Sequence, residues 1–252
     1  MECFVKWYNK VYIQQTADEI QLAAILKEAG VLPSFPKLMV ITGHYGSGKT
    51  NCAVNFAREL ARGGEPVVLF DLDIVNPYFR SSDFTAELAA EGIEVCSPVF
   101  ANTNLDTPTL TGRLDAVLAA DTRTIILDVG GDDAGAVALG RYAAAIARHG
   151  YRMYYVCNCF RYLTRTAEEA ATLLRQIEAV SRLRVTDLVN NANLGVETSA
   201  DDVRQGLEMI GALSAMTGLP VAMTTVRRDL LPAMGRDADR CRGVDIFVKP
   251  PW

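Results

Sequence analysis

An apolar, β-branched run, LMVIT (38–42), stops at the loop GHYGSGKT (43–50), and a helical pattern starts inside that loop. Gly43, Gly48, Lys49 and Thr50 occupy the fixed positions of GxxxxGK[ST]. Small residues let successive backbone N–H groups face one concavity, and the helix that follows adds free N-terminal donors and the positive end of its dipole. The stretch is therefore built to hold phosphate. The candidate binding residues are Gly43, His44, Tyr45, Gly46, Ser47, Gly48, Lys49, Thr50 and Asn51. Lys49 is expected to reach the outer phosphates of a nucleoside triphosphate, and the Thr50 hydroxyl to hold Mg2+.

A strand–loop–helix unit of this kind belongs in a parallel sheet, and the rest of the chain supplies one. Strand-like runs fall at 38–42, 66–72, 93–97, 124–129, 153–158, 185–190, 221–226 and 244–249. Helical patterns near 49–63, 79–91, 107–120, 134–149, 166–182, 200–217 and 228–240 alternate with them. This pattern predicts an α/β fold with a mostly parallel twisted sheet of about seven or eight strands and helices on both faces, spanning residues 37–252 as one domain. Residues 1–36 stand outside the alternation. Within them Thr16 and Glu19 form a capping-box pair and Gly30 a stop signal, so a short helix is expected there, packed on the sheet or docking a partner.

Composition gives no sign of several classes of partner. The net charge is −5 and the pI near 5.2, which gives no electrostatic reason to expect nucleic-acid wrapping or attraction to an acidic membrane. No signal peptide and no membrane-length apolar run is evident, so cytoplasm is the expected location. Six cysteines are present, and VCNCF places Cys157 and Cys159 together. With two histidines and no CxxC pair, buried reduced thiols are expected rather than a metal or redox centre.

In parallel sheets ligands bind beyond the carboxyl ends of the strands. TIILDVGG (124–131) puts Asp128 at such an end, where an acidic residue orients Mg2+ through its waters, and Gly131 allows close approach to a γ-phosphate. FDLD (70–73) ends the preceding strand run with Asp71, a candidate metal partner, and Asp73, a candidate for positioning the attacking water. Lys49, Asp73 and Asp128 are the catalytic candidates; Thr50, Asp71 and Asp128 are the metal candidates.

Taken together, GHYGSGKT, DLD and LDVGG resemble the MinD/ParA/CobQ-type P-loop nucleotide-binding family over residues 38 to about 250. The resemblance implies a three-layer P-loop NTPase with ATP and Mg2+ as cofactors. DLD would be its switch I and LDVGG its Walker B and switch II. In VNNANLG, either Asn190 or Asn191 matches the strand-ending asparagine that contacts adenine, and Arg227 and Arg228 match the loop closing over the base. One departure is that His44 and Tyr45 stand where partitioning and cluster-carrier members place a lysine reaching across a dimer. A homodimer is therefore compatible with the resemblance without being implied by it. The loop also looks like that of the signal-recognition GTPases, but no [NT]KxD guanine-reading sequence follows a strand. The resemblance implies an ATPase whose switch segments report nucleotide state to a protein partner. The alternatives are an ATP-dependent ligase or kinase acting on a small-molecule substrate, or a regulator that binds nucleotide without hydrolysing it. Asn102, Asn104 and Asp106 are polar candidates for substrate or switch contacts, Asp132 and Asp133 for switch II, and Arg161 and Arg165 for a phosphate or partner.

Overall fold

The computed structural model describes residues 35–72, 84–97, 107–120, 122–131 and 133–247, all but Phe35 within the unit Pro36–Trp252. The expected helix at 16–30, and Asn102, Asn104, Asp106, Asp73 and Asp132, lie outside the described residues.

Eight strands form one sheet in the order β3-β2-β4-β1-β5-β6-β7-β8, and every pairing in it is parallel. They are β1 (Leu38–Thr42), β2 (Val67–Asp71), β3 (Glu94–Cys96), β4 (Thr124–Asp128), β5 (Arg152–Cys157), β6 (Asp187–Asn190), β7 (Val221–Arg227) and β8 (Cys241–Val244). The connecting helices are α1 (Lys49–Arg62), α2 (Thr85–Ala90), α3 (Thr107–Ala120), α4 (Asp133–His149), α5 (Ala167–Ser181), α6 (Ala200–Thr217) and the short α7 (Leu231–Met234). From the central β1 the chain runs through β2 to β3 at one edge, returns to β4, then crosses to β5 and continues to β8. Right-handed crossovers in opposite directions place helices on opposite faces.

Strand alternation decides which residues meet which helix. Val68, Phe70 and Leu72, with Ile125, Leu127 and Val129, join Leu139, Ile146, Leu174 and Ile177 of α4 and α5 in the main core. The intervening residues, Leu69, Asp71, Ile126 and Asp128, face the other way. That face is covered by α1, which packs on β1, β2 and β4 and buries Cys52, Ala53 and Phe56. Parallel strands buried on both sides read as continuous apolar runs, which is why the strand expectations largely hold.

The helix boundaries follow local chemistry. Thr166 and Glu169 form a capping box at the start of α5, and Ser199 and Asp202 form another for α6. Two expectations near the end of the chain are corrected. β8 is Cys241–Val244 rather than 244–249. The backbone of the next residues bonds to asparagine side chains of α1 instead of extending the ladder: Asp245 N donates to Asn55 Oδ1 and Phe247 N to Asn51 Oδ1, each at 2.9 Å. Similarly, 228–240 is not one helix but two 3-10 turns flanking the four-residue α7, because Pro232 can stand only near a helix start and Gly235 takes a left-handed φ of 57°.

Candidate functional site

The phosphate loop leaves the end of β1 and is enclosed by the ends of its neighbours. On one side Gly131, after β4, lies against Gly43; a Cβ on Gly131 would stand 1.7 Å from the Gly43 carbonyl oxygen. On the other side a Cβ on Gly48 would stand 2.2 Å from Asn191 Nδ2, and Gly48 itself holds a φ of 89°. Both positions thus require glycine, one for contact and one for contact and conformation. The spacing argument anticipated both residues for backbone approach to phosphate; the structure adds that each also admits a neighbouring segment.

Three of the loop's carbonyl oxygens are hydrogen-bonded, two of them from outside the loop. His44 O accepts from Ser47 N at 3.0 Å, Gly46 O from Arg161 Nε at 3.0 Å, and Ser47 O from Asn191 Nδ2 at 2.6 Å. An anion site needs its carbonyls turned away so that N–H groups face the concavity, and the bonds from Arg161 and Asn191 do that for Gly46 O and Ser47 O, while the Ser47 N–H is spent within the loop on His44 O. The Ser47 hydroxyl oxygen is buried and makes no hydrogen bond among the described residues, leaving a polar atom in the loop that a phosphate oxygen would satisfy. The residues present therefore fit a bound polyphosphate.

Lys49 and Thr50 open α1 and are buried. Asp71 and Asp128, also buried, end neighbouring strands on the face covered by that helix. Cys52, one turn further along α1, feels the Asp128 carboxylate and hydrogen-bonds with Thr225. Its thiol is pushed up to about 12, chiefly by burial and also by that carboxylate, against the Thr225 bond. It is inert at neutral pH. No group of three or more His, Cys, Asp or Glu that could hold a metal occurs among the described residues. His44 has its pKa lowered, by burial first and by the positive charge of Lys49 second, so its imidazole is neutral near pH 7.

Other sequence candidates have structural duties. Asn51 donates to Asp245 O at 3.0 Å and accepts from Phe247 N, so its side chain is turned to the C-terminal segment. Asn190 is buried, with its Oδ1 accepting from Ala192 N at 3.1 Å and its Nδ2 directed at Val203 O and Thr224 Oγ1. Arg227 clamps Asp229 and donates to Gly195 O and Val196 O; Arg228 pairs with Asp245. Arg165 lies exposed at the turn before α5, where its N–H donates to Glu169 Oε2. Asp133 opens α4. Tyr45 is exposed at the loop tip. Cys157 and Cys159 are buried free thiols.

Sequence reasoning missed Asn158. It is buried at the end of β5, its Oδ1 accepting from Phe160 N and Asn193 N and its Nδ2 donating to Asn193 O at 2.9 Å. A strand-ending asparagine was the available signal.

No protein-family model matches the chain, and no curated protein matches it. Solved structures do. Cell division protein FtsY from Thermotoga maritima superposes with a TM-score of 0.53 at 15% identity, covering 85% of this chain and 67% of that one. The signal recognition particle 54 kDa protein from Aeropyrum pernix K1, in complex with GDP, gives 0.51 at 19% identity, covering 76% and 42%. Signal recognition particle receptor FtsY from Elizabethkingia anophelis, in complex with GDP, gives 0.51 at 18%, covering 77% and 58%. The match thus spans about half the length of the last two. At such identities the likeness is one of fold, and it does not single out the MinD/ParA/CobQ branch. With its phosphate loop after the central strand of an eight-stranded parallel sheet, the chain has the P-loop NTPase fold.

Proposed function

We propose that this protein is a Mg2+-dependent ATPase whose switch segments report nucleotide state to a protein partner. The observation that carries the reading is the loop itself: two carbonyls tied from outside it, the unsatisfied Ser47 hydroxyl, and two buried carboxylates on the face where Lys49 and Thr50 begin α1. Gly43 to Thr50 hold the phosphates, with Lys49 placing its charge on the outer ones. Thr50, Asp71 and Asp128 hold the metal directly or through water. Mg2+ supplies neutralisation of the charge on the outer phosphates. Asp73 orients the attacking water. Phosphoryl transfer demands positioning and charge stabilisation more than covalent participation, and this inventory provides both. The segments after β2 and β4 respond to the γ-phosphate and so carry the signal to a partner.

A second reading, in which the base is guanine, is favoured by the GDP in two of the matching structures. Against it, NNAN (190–193) stands where a guanine reader would carry lysine and aspartate. Titration of the purified protein with ATP and GTP, each with Mg2+, alongside a phosphate-release assay, separates the two. ATP binding with turnover is expected for the wild type, and loss of either in Lys49→Ala. Wild-type binding and turnover retained in Lys49→Ala would sink the assignment, and preference for GTP would replace ATP with the second reading.

A further inference from the structure

Asn191 entered as one of two candidates for contacting the base, yet its side chain points at the phosphate loop. Its Nδ2 donates to Ser47 O at 2.6 Å, and its Oδ1 accepts from the Thr225 hydroxyl at 2.5 Å. The same hydroxyl lies 3.2 Å from Asn190 O, and Asn191 N donates to Cys157 O at 2.8 Å. Asn191 is buried, so its amide is fixed by β5 through its own backbone and by β7 through Thr225.

We infer that Asn191 is a positioning residue for the phosphate loop: it holds the Ser47–Gly48 peptide with its carbonyl outward, and so aims the Gly48 N–H at the bound phosphate. The inference rests on the nucleotide-binding reading. The physical reason is the planarity of the peptide. The bond is trans, as is every peptide described, so C=O and N–H point in opposite directions. Fixing Ser47 O against the β6 end therefore sends Gly48 N–H away from it, into the open side of the loop. A relaxed loop would present that carbonyl to an anion in a fraction of its conformations, and each such conformation repels phosphate. Glycine at position 48 is part of the device: a Cβ there would stand 2.2 Å from Asn191 Nδ2, and the residue also holds a left-handed φ.

This role differs from base reading in what it makes fail. A brace acts on phosphate and is blind to the base; a base reader acts on adenosine and on the choice between ATP and GTP. The test compares Mg2+-ATP, Mg2+-GTP and adenosine binding to wild type, Asn191→Ala, Asn191→Asp and Thr225→Val by calorimetry. It is joined to hydrogen exchange of the loop amides without nucleotide. Asn191→Asp keeps an acceptor for Thr225, loses the donor to Ser47 and adds a negative charge beside the loop, so a loss it shares with the uncharged Asn191→Ala reports the bond and any excess over it reports the charge. Both Asn191 variants are expected to weaken ATP about 10-fold, the worth of one well-made buried hydrogen bond, with adenosine affinity and the ATP-to-GTP ratio unchanged. The Gly48 amide should exchange faster while β5 and β7 amides do not. Thr225→Val should give a smaller effect in the same direction. Equal ATP binding by wild type and both Asn191 variants, or unaltered exchange at Gly48, would overturn the positioning role alone. A changed ATP-to-GTP ratio would restore base reading. A wild-type protein that binds no nucleoside triphosphate would overturn the nucleotide reading and this role with it.

Discussion

Asp71 and Asp128 are in-register partners across β2 and β4, so two buried carboxylates leave neighbouring strands on the same face of the sheet. Their backbones are joined again just beyond, where Leu72 N donates to Asp128 O at 2.8 Å. A movement of one strand end is therefore felt at the other.

Asp128→Asn keeps the shape of the side chain and removes its charge. Mg2+-dependent turnover is expected to fall about 10–100-fold, the range found for groups that act on a metal through its waters. Nucleotide binding measured with the metal chelated should hold or improve, because a negative charge facing the phosphates has gone. Turnover with an unaltered Mg2+ requirement would remove Asp128 from the metal site.

Two glycine substitutions make a matched pair. Gly131→Ala drives a methyl group into the Gly43 carbonyl, where both parties are backbone, and should cost about 1–3 kcal/mol together with nucleotide binding. Gly112, exposed in α3 with open space around it, should accept alanine with a gain of about 0.5–1 kcal/mol. Urea unfolding of the two variants checks the sign of each change.

The lowered pKa of His44 sets a pH dependence. The unfolded chain takes up a proton near pH 6.5 while the folded chain resists it, so this residue's share of stability is full above pH 6.5 and is lost as pH falls through the lower folded value. Binding of an anionic triphosphate should raise the His44 pKa, and so should Lys49→Ala, which removes one of its two causes. Imidazole chemical shifts followed against pH, with and without nucleotide, provide the measurement; a His44 titration indifferent to both would place it outside the phosphate field.

Phe247 lies under the Arg58 guanidinium at 3.9 Å and meets Phe84 edge to face at 6.5 Å between centroids. Arg58 is buried and pairs with Glu87 and Glu91. Phe247→Leu keeps bulk and loses the ring face, and should cost about 0.5–2 kcal/mol. In an Arg58→Met background the same change should cost less. A double-mutant cycle with zero coupling would show that the stacking is incidental.

The sheet was legible because its strands are buried on both faces and announce themselves as apolar runs. The loop was legible because phosphate binding fixes residue types at fixed spacing. What escaped the sequence was the use of polar side chains against backbone. Asn51, Asn158, Asn190 and Asn191 all read as ligand contacts or as nothing, and each satisfies a particular N–H or C=O in the fold. Arginine was equally ambiguous: Arg161, a candidate for phosphate or a partner, reached a loop carbonyl, and Arg227, a candidate for the loop closing over the base, reached two others. A side-chain amide's partner depends on the distance between segments far apart in sequence, which composition and periodicity do not encode. The strap after β8 was misread as strand for the same reason.

The brace on Ser47 comes from a residue 144 positions away, and the helix opening with Lys49 is tied by Asn55 to Asp245, 190 positions away. A contiguous signature is thus held by some of the longest-range contacts in the chain. Such contacts carry the full entropic cost of closing their loops before they return any stability, which slows folding. On a ribosome the eight residues of the loop emerge long before the residues that brace them: they gain their working geometry only after Asp245 has followed, so a nascent chain should acquire its phosphate site well after the signature itself has been translated.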